Sequence, residues 1–211
     1  MIAVIDYGAG NLQSVIKAFE FIGCKVRVIN DPEKLKKADA AVLPGVGSFG
    51  DAMDSLRARG FVEPIREFIR TGKPFLGICL GLQLLFDSSE ESPGVEGLGI
   101  LKGKVLRIPD APGLKIPHIG WNSLDFHGNC RLMTQGLGDH PYVYFVHSYY
   151  LKADDPHIVT ATAEYGVTIH AAVQKGSLFA CQFHPEKSGA DGLQMLRNFA
   201  ALVPGEGRRE K

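Results

Sequence analysis

The chain has 211 residues, 45% of them hydrophobic, and its 23 Lys plus Arg balance its 23 Asp plus Glu. That length and apolar share suit one substantial core and a single domain, 1–211. Even charge without a basic run excludes electrostatic capture of nucleic acid or of an anionic membrane.

The first residues are apolar but stop at Asp6, with no basic leader, and no apolar stretch reaches spanning length. A soluble, cytoplasmic protein is expected, with small molecules or another protein as partners. Cys24, Cys79, Cys130 and Cys181 form no CxxC pair, which argues against a disulfide scaffold or a zinc knuckle and leaves room for a working thiol. His184 and Glu186 make an HxE, but no PCxxC completes a metal site, so no metal is predicted.

In chain order, Ile2 to Ile5 reads as a strand buried on both faces, followed by the loop DYGAGN and a helix from Leu12 to Ile22 that stops at Gly23. Lys25 to Ile29 alternates like a second strand, Pro32 suits the first turn of a short helix, and Ala40 to Leu43 is a third strand. Such alternation predicts an α/β fold: a mainly parallel sheet with helices on both faces and ligands beyond the carboxyl ends of its strands.

Two loops at such ends are rich in glycine. PGVGSFG, Pro44 to Gly50, contains GxGxxG, but a dinucleotide fingerprint belongs after the first strand of its unit. The first loop, with Gly8, Gly10 and Asp31, is the better candidate, although Gln13 fills its third glycine position. A nucleotide-binding oxidoreductase therefore stands as the alternative reading, and plain tight turns as the bland one.

A helix opened by Pro64 and ended by Gly72 leads to Lys73–Leu85, KPFLGICLGLQLL, read as strand, tight turn and helix with Cys79 on the turn. Gly77 and Gly81 bracket Cys79 as glycines bracket the nucleophile of a GxSxG elbow, and a helix starting at the sulfur would stabilise a thiolate. The bland alternative is a small buried hydrophobe.

From Gly97 onward the texture changes. Lys104–Ile108, Tyr142–Val146, Val159–Ala163, Thr168–Val173 and Leu178–Phe183 are short apolar runs separated by turn residues, which predicts β-hairpin additions. A last helix from about Asp191 to Leu202 closes the chain, and about 203–211 forms a frayed tail.

A thiolate nucleophile needs a base that also serves as an acid, and a group to fix that base. On extended chain, residues two apart share a face, so His184 and Glu186 can both be directed at Cys79. His118, His147 and His170 compete by sequence alone.

KPFLGICLGLQLL with QFHPEKS resembles the class I, triad-type glutamine amidotransferases, whose fold is flavodoxin-like. DYGAGNLQSV, LPGVGSFGDAM, IPHIGWN, YFVHSYY and AAVQKGSLFACQFHPEKS further resemble the HisH-type glutaminase subunits of imidazole glycerol phosphate synthase, over nearly the whole chain. Leu82 departs slightly, standing where methionine is common in the family.

The resemblance implies a Cys79–His184–Glu186 triad, with an oxyanion hole from Leu80 and the Val46–Gly47 loop. It places the substrate glutamine against Gly47, Gln83, Ser148 and Tyr149. It also implies ammonia transfer, without a cofactor, to a separate cyclase subunit, a HisF-type (β/α)₈ barrel joined in a heterodimer, with Asn11, Trp121 and Lys187 at or near the contact. A sister amidotransferase with another acceptor remains an alternative.

Overall fold

The computed structural model describes residues 1–8, 11–128 and 130–203. Gly10 of the first loop and residues 204–211 of the expected tail lie outside them.

The first half alternates strand and helix: β1 Ile2–Ile5, α1 Leu12–Phe21, β2 Val26–Ile29, α2 Pro32–Leu35, β3 Ala40–Gly45, α3 Phe49–Ala58, α4 Val62–Arg70, β4 Phe75–Cys79 and α5 Leu80–Gln83. The second half is richer in strands: β5 Ser88–Ser89, β6 Gly103–Arg107, β7 His118–Ser123, β8 Asp125–Phe126, α6 Arg131–Thr134, β9 Tyr142–His147, β10 Tyr149–Ala153, β11 Val159–Glu164, β12 Thr168–Lys175, β13 Leu178–Cys181 and α7 Gly189–Ala201.

Eight strands form the main sheet in the order β2-β1-β3-β4-β13-β12-β11-β8. Pairing is parallel from β2 to β13 and antiparallel beyond it. The parallel part follows the flavodoxin-like order, so the α/β expectation holds. The hairpin additions are present as the consecutive antiparallel pairs β11–β12 and β12–β13; apart from them, β10, β6 and β5 form a three-stranded sheet, and β7 pairs antiparallel with β9.

The period of two in β1 sorts the core into two layers. Ile2 and Val4 face Val15 and Phe19 of α1 and Phe199 of α7, while Ala3 and Ile5 face Leu56 of α3 and Ile65 and Phe68 of α4. Phe199 packs at 6.4 Å from both Phe19 and Phe179. Truncating a buried ring of this kind costs about 3–5 kcal/mol. Both faces are thus covered, which leaves the strand ends as the place for chemistry.

One expectation needs correction. The helix after Cys79 is a single turn, Leu80–Gln83; the apolar run continues as i→i+3 turns, with Leu85 bonded to Leu82 and Phe86 to Gln83. A dipole built from so few peptides contributes little to a thiolate. Asn11, which precedes α1, makes no side-chain cap bond and donates to Ser14 Oγ at 2.9 Å.

Candidate active site

β4 is buried along its whole length and ends in the one positive-φ residue other than glycine among those described: Cys79, at φ 55° and ψ −110°. Such a conformation costs on the order of 1–3 kcal/mol and persists only where the surroundings enforce it. Here two glycines allow the enforcement. A Cβ on Gly81 would stand 1.9 Å from the Leu43 carbonyl oxygen of β3, and one on Gly77 2.9 Å from the Gly81 carbonyl oxygen. Only bare backbone lets the turn close this tightly against its neighbouring strand.

Sheet register gathers the other elements around the sulfur. Gly45 of β3 pairs with Cys79, which brings the Val46–Gly47 loop alongside, and Cys181 of β13 pairs with Ile78, so the chain leaving β13 delivers His184. The His184 N–H donates to the Tyr144 carbonyl at 2.9 Å, and Ser188 Oγ bridges the His184 carbonyl at 2.6 Å and the Tyr144 N–H at 2.9 Å. A 3₁₀ turn, Pro185–Lys187, then folds Glu186 back beneath the imidazole.

His184 Nδ1 donates to Glu186 Oε1 at 2.8 Å, and the two side chains are only 6% and 3% exposed. That bond fixes the tautomer and leaves Nε2 for Cys79. Burial opposes charge on His184, but hydrogen bonds to Cys79 and Glu186, and the negative charge of both, outweigh it and hold the imidazole pKa up at about 10. The arrangement can keep a proton beside the sulfur at neutral pH and hand it to a leaving group.

A cavity of about 290 Å³ opens over the sulfur. Val46, Gly47, Cys79 and Leu80 form one wall, and Gln83, Ser148, Tyr149, His184 and Lys187 the others. Glu186 stands behind His184. Asn11 and Trp121 do not line the cavity.

Trp121 is 54% exposed and is therefore not a core residue. It lies on β7 opposite Tyr144 of β9, with the rings edge-to-face at 5.9 Å. Ile119 and Tyr142 are also exposed on this strand pair, and Val146, opposite Ile119, is part of the cavity wall.

Two residues escaped the sequence. Glu91 lines the cavity and accepts the Phe49 N–H at 2.8 Å; no motif surrounds it, and the contact spans 42 residues. Ser188 follows HPEK directly, but its bridge to β9 is a tertiary fact. The competing histidines take other parts. Burial drives His147 to about 4, with the charges of His118 and His184 adding to it against its bond to Tyr149, and burial also drives His118 to about 4. Both rings are therefore neutral: His147 Nδ1 donates to the Tyr149 carbonyl at 2.8 Å, and His118 Nδ1 to His147 Nε2 at 3.0 Å. His170 Nδ1 accepts the Ala153 N–H at 3.1 Å.

Cys24, Cys130 and Cys181 are buried in the core. Burial first, then the charges of Glu186 and Cys79, push the Cys181 thiol up, which keeps it unreactive. No described helix is long and apolar enough to cross a membrane.

Residues 3–203 match the family described as glutamine amidotransferase class-I. The HisH subunit of imidazole glycerol phosphate synthase from Thermosynechococcus vestitus is 54% identical, covering 96% of this chain and 97% of its own. The HisH subunit from Methanothermobacter thermautotrophicus is 51% identical, covering 96% and 99%. Among solved structures, a glutamine amidotransferase superposes with a TM-score of 0.74 at 21% identity, covering 96% of this chain and 98% of that one. PurLQS from Thermotoga maritima gives 0.73 at 22%, covering 94% and 96%; at such identities the likeness speaks to the fold alone. With a family match across almost its whole length and near-full-length relatives at half identity, this chain belongs to the class I glutamine amidotransferases, within their HisH group.

Proposed function

We propose that this chain is the glutaminase subunit of imidazole glycerol phosphate synthase, a cytoplasmic enzyme of histidine biosynthesis. The observation that carries this reading is the meeting of Cys79 and His184 at one cavity, with Glu186 bonded to the imidazole, in a member of the HisH group.

The Cys79 thiolate attacks the side-chain carbonyl carbon of glutamine, and the developing oxyanion is met by the backbone N–H of Leu80 and by one from the Val46–Gly47 loop. The tetrahedral adduct collapses to a glutamyl thioester as its C–N bond breaks, and His184 gives its proton to the leaving nitrogen, releasing ammonia. Water, deprotonated by His184, then cleaves the thioester to glutamate, and the sulfur leaves as the thiolate beside the reprotonated His184. Glu186 holds the imidazole in register throughout.

Gly47, Gln83, Ser148 and Tyr149 hold the substrate, and the Glu91 carboxylate supplies a negative charge suited to its α-ammonium. Ammonia passes to a separate cyclase subunit, a (β/α)₈ barrel in a heterodimer with this chain. There it enters imidazole glycerol phosphate, with release of the aminoimidazole carboxamide ribonucleotide. The exposed row on β7 and β9, with Asn11 and Lys187, is the docking face; its large apolar side chains and its continuity with the cavity wall at Val146 support that use.

The test is Cys79→Ala in the reconstituted complex. Glutamine-dependent synthesis should vanish while synthesis from added ammonium salt persists. Loss of both activities from an assembled complex would overturn the division of labour.

A further inference from the structure

Two buried glutamines join the nucleophile to the cavity wall. Gln182 is 0% exposed and Gln83 5%. Gln83 Nε2 lies 3.1 Å from the Tyr149 carbonyl oxygen and 3.0 Å from Gln182 Oε1, and Gln182 Nε2 lies 3.8 Å from Cys79 Sγ.

Which end of an amide carries the oxygen is decided by its partners. Gln83 faces a carbonyl that can only accept, so its NH₂ must point there. That NH₂ has a second hydrogen, and Gln182 must meet it with oxygen, since the reverse would set two NH₂ groups against each other. The NH₂ of Gln182 is thereby turned to the sulfur. Polarity runs one way along the chain of bonds, from a backbone carbonyl to Cys79, and neither amide can flip without breaking it.

The consequence is a donor aimed at the nucleophile from inside the protein. Val146 O, 3.9 Å from Sγ, can accept only from a thiol. Toward the sulfur, the Gln182 N–H and a protonated His184 Nε2–H can act only as donors, and a thiolate accepts from both more strongly than a thiol. We infer that Gln182 is a further catalytic residue, holding Cys79 as the thiolate through its side-chain N–H while its carbonyl fixes Gln83. With its NH₂ engaged twice, Gln83 offers the substrate only an oxygen, and so selects a donor group of glutamine at that point of the cavity.

This rests on the reading of Cys79 as the nucleophile, and the test separates the two. Gln182→Met, close in volume to glutamine, removes both polar contacts; Gln182→Glu keeps an oxygen for Gln83 but sets a carboxylate against the sulfur. Alkylation of Cys79 by iodoacetamide is followed against pH by peptide mapping. Glutamine hydrolysis is followed in the complex with the cyclase subunit, and thermal melting verifies folding.

In Gln182→Met the alkylation profile should move up by about one pH unit, kcat/KM should fall about tenfold, and KM should rise as Gln83 loses an acceptor. Gln182→Glu should move the profile further while KM stays near the wild-type value. A purely structural glutamine would alter melting and leave the profile in place. If the buried carboxylate unfolds Gln182→Glu, Gln182→Met decides. Folded variants whose profiles superpose on the wild type overturn the inference alone. A wild-type chain alkylated elsewhere than at Cys79 overturns the nucleophile reading and the inference with it.

Discussion

Adding one methyl group at Gly81 should disable the site without touching any group that reacts. The Cβ of Gly81→Ala would stand 1.9 Å from the Leu43 carbonyl oxygen and 2.9 Å from its carbonyl carbon, whereas ordinary contact begins at 3.4 Å. The turn after Cys79 and strand β3 must therefore part by about 1.5 Å. Neither side gives easily, because Leu43 pairs with Gly77 in the centre of the parallel sheet. Overpacking of this kind costs about 1–3 kcal/mol, and backbone against backbone puts it at the upper end. For a domain of this size that lowers Tm by roughly 6–12 °C.

The larger effect falls on chemistry, since a displacement of about 1 Å between reacting groups costs on the order of 10²-fold in rate. Gly77→Ala, whose Cβ would meet the Gly81 oxygen at 2.9 Å, demands only about 0.5 Å and should fall between Gly81→Ala and the wild type. Gly176→Ala is the control: its φ of +60° imposes backbone strain, but nothing lies within 4 Å and the site is far away, so it should lower Tm slightly and leave turnover unchanged. The assay is kcat/KM for glutamine in the complex, read beside Tm. Wild-type turnover in folded Gly81→Ala, or an equal loss of activity in Gly176→Ala, would refute the elbow argument.

Glu186→Gln keeps an oxygen for His184 Nδ1 but turns a charge-assisted bond into a neutral one, and kcat/KM should fall about ten- to a hundredfold with no change in assembly; wild-type turnover would exclude Glu186 from the triad. In Cys79→Ala, His184 loses the first of the contacts that raise it, so NMR should find its titration well below about 10, and an unmoved midpoint would show that the sulfur and the ring do not interact. His118 and His147 are held down at about 4, so the stability that they contribute as neutral rings is full above about pH 6.5 and lost as pH falls through 4. Amide exchange on β7 and β9 should accelerate over that window before the main sheet opens, and uniform exchange would contradict this. Lys187→Glu, at the rim of the cavity, should weaken assembly about tenfold or release glutamate in excess of the cyclised product; wild-type values of both would remove Lys187 from the docking face.

The parallel half and the tight turn at Cys79 were legible because their signals are local. Strand β1 is apolar on both faces since helices cover both, and the glycines around Cys79 mark a turn that no Cβ could enter. The length of α5 was not legible: Leu84, Leu85 and Phe86 are buried on every side, so no polar phase in the sequence says where the helix stops. Strand β7 was missed because Gly120 interrupts it and a histidine occupies a buried position. Its pairing with β9, not its own propensity, makes it a strand. Trp121 could not be told from a core residue, since exposure depends on which way that pairing turns the ring. Glu91 and Ser188 act through contacts 42 and 44 residues away along the chain, and no motif carries such distances.

Strand β9 joins the proposed docking face to the proposed site of chemistry. Alternation sends Tyr142, Tyr144 and Val146 to one face, beside Ile119 and Trp121, and Val143, Phe145 and His147 to the buried one. The same strand holds the His184–Ser188 segment by its backbone: Tyr144 accepts from the His184 N–H and donates to Ser188, whose hydroxyl returns to the His184 carbonyl. At its end, Val146 and His147 become cavity wall, and the Tyr149 carbonyl just beyond anchors Gln83. A surface pressed against Trp121 and Tyr144 therefore bears on the one strand that sets both the height of His184 over Cys79 and one wall of the cavity. A shift of a few tenths of an ångström there alters proton-transfer geometry directly, because packed strands move as units and do not absorb displacement by compressing.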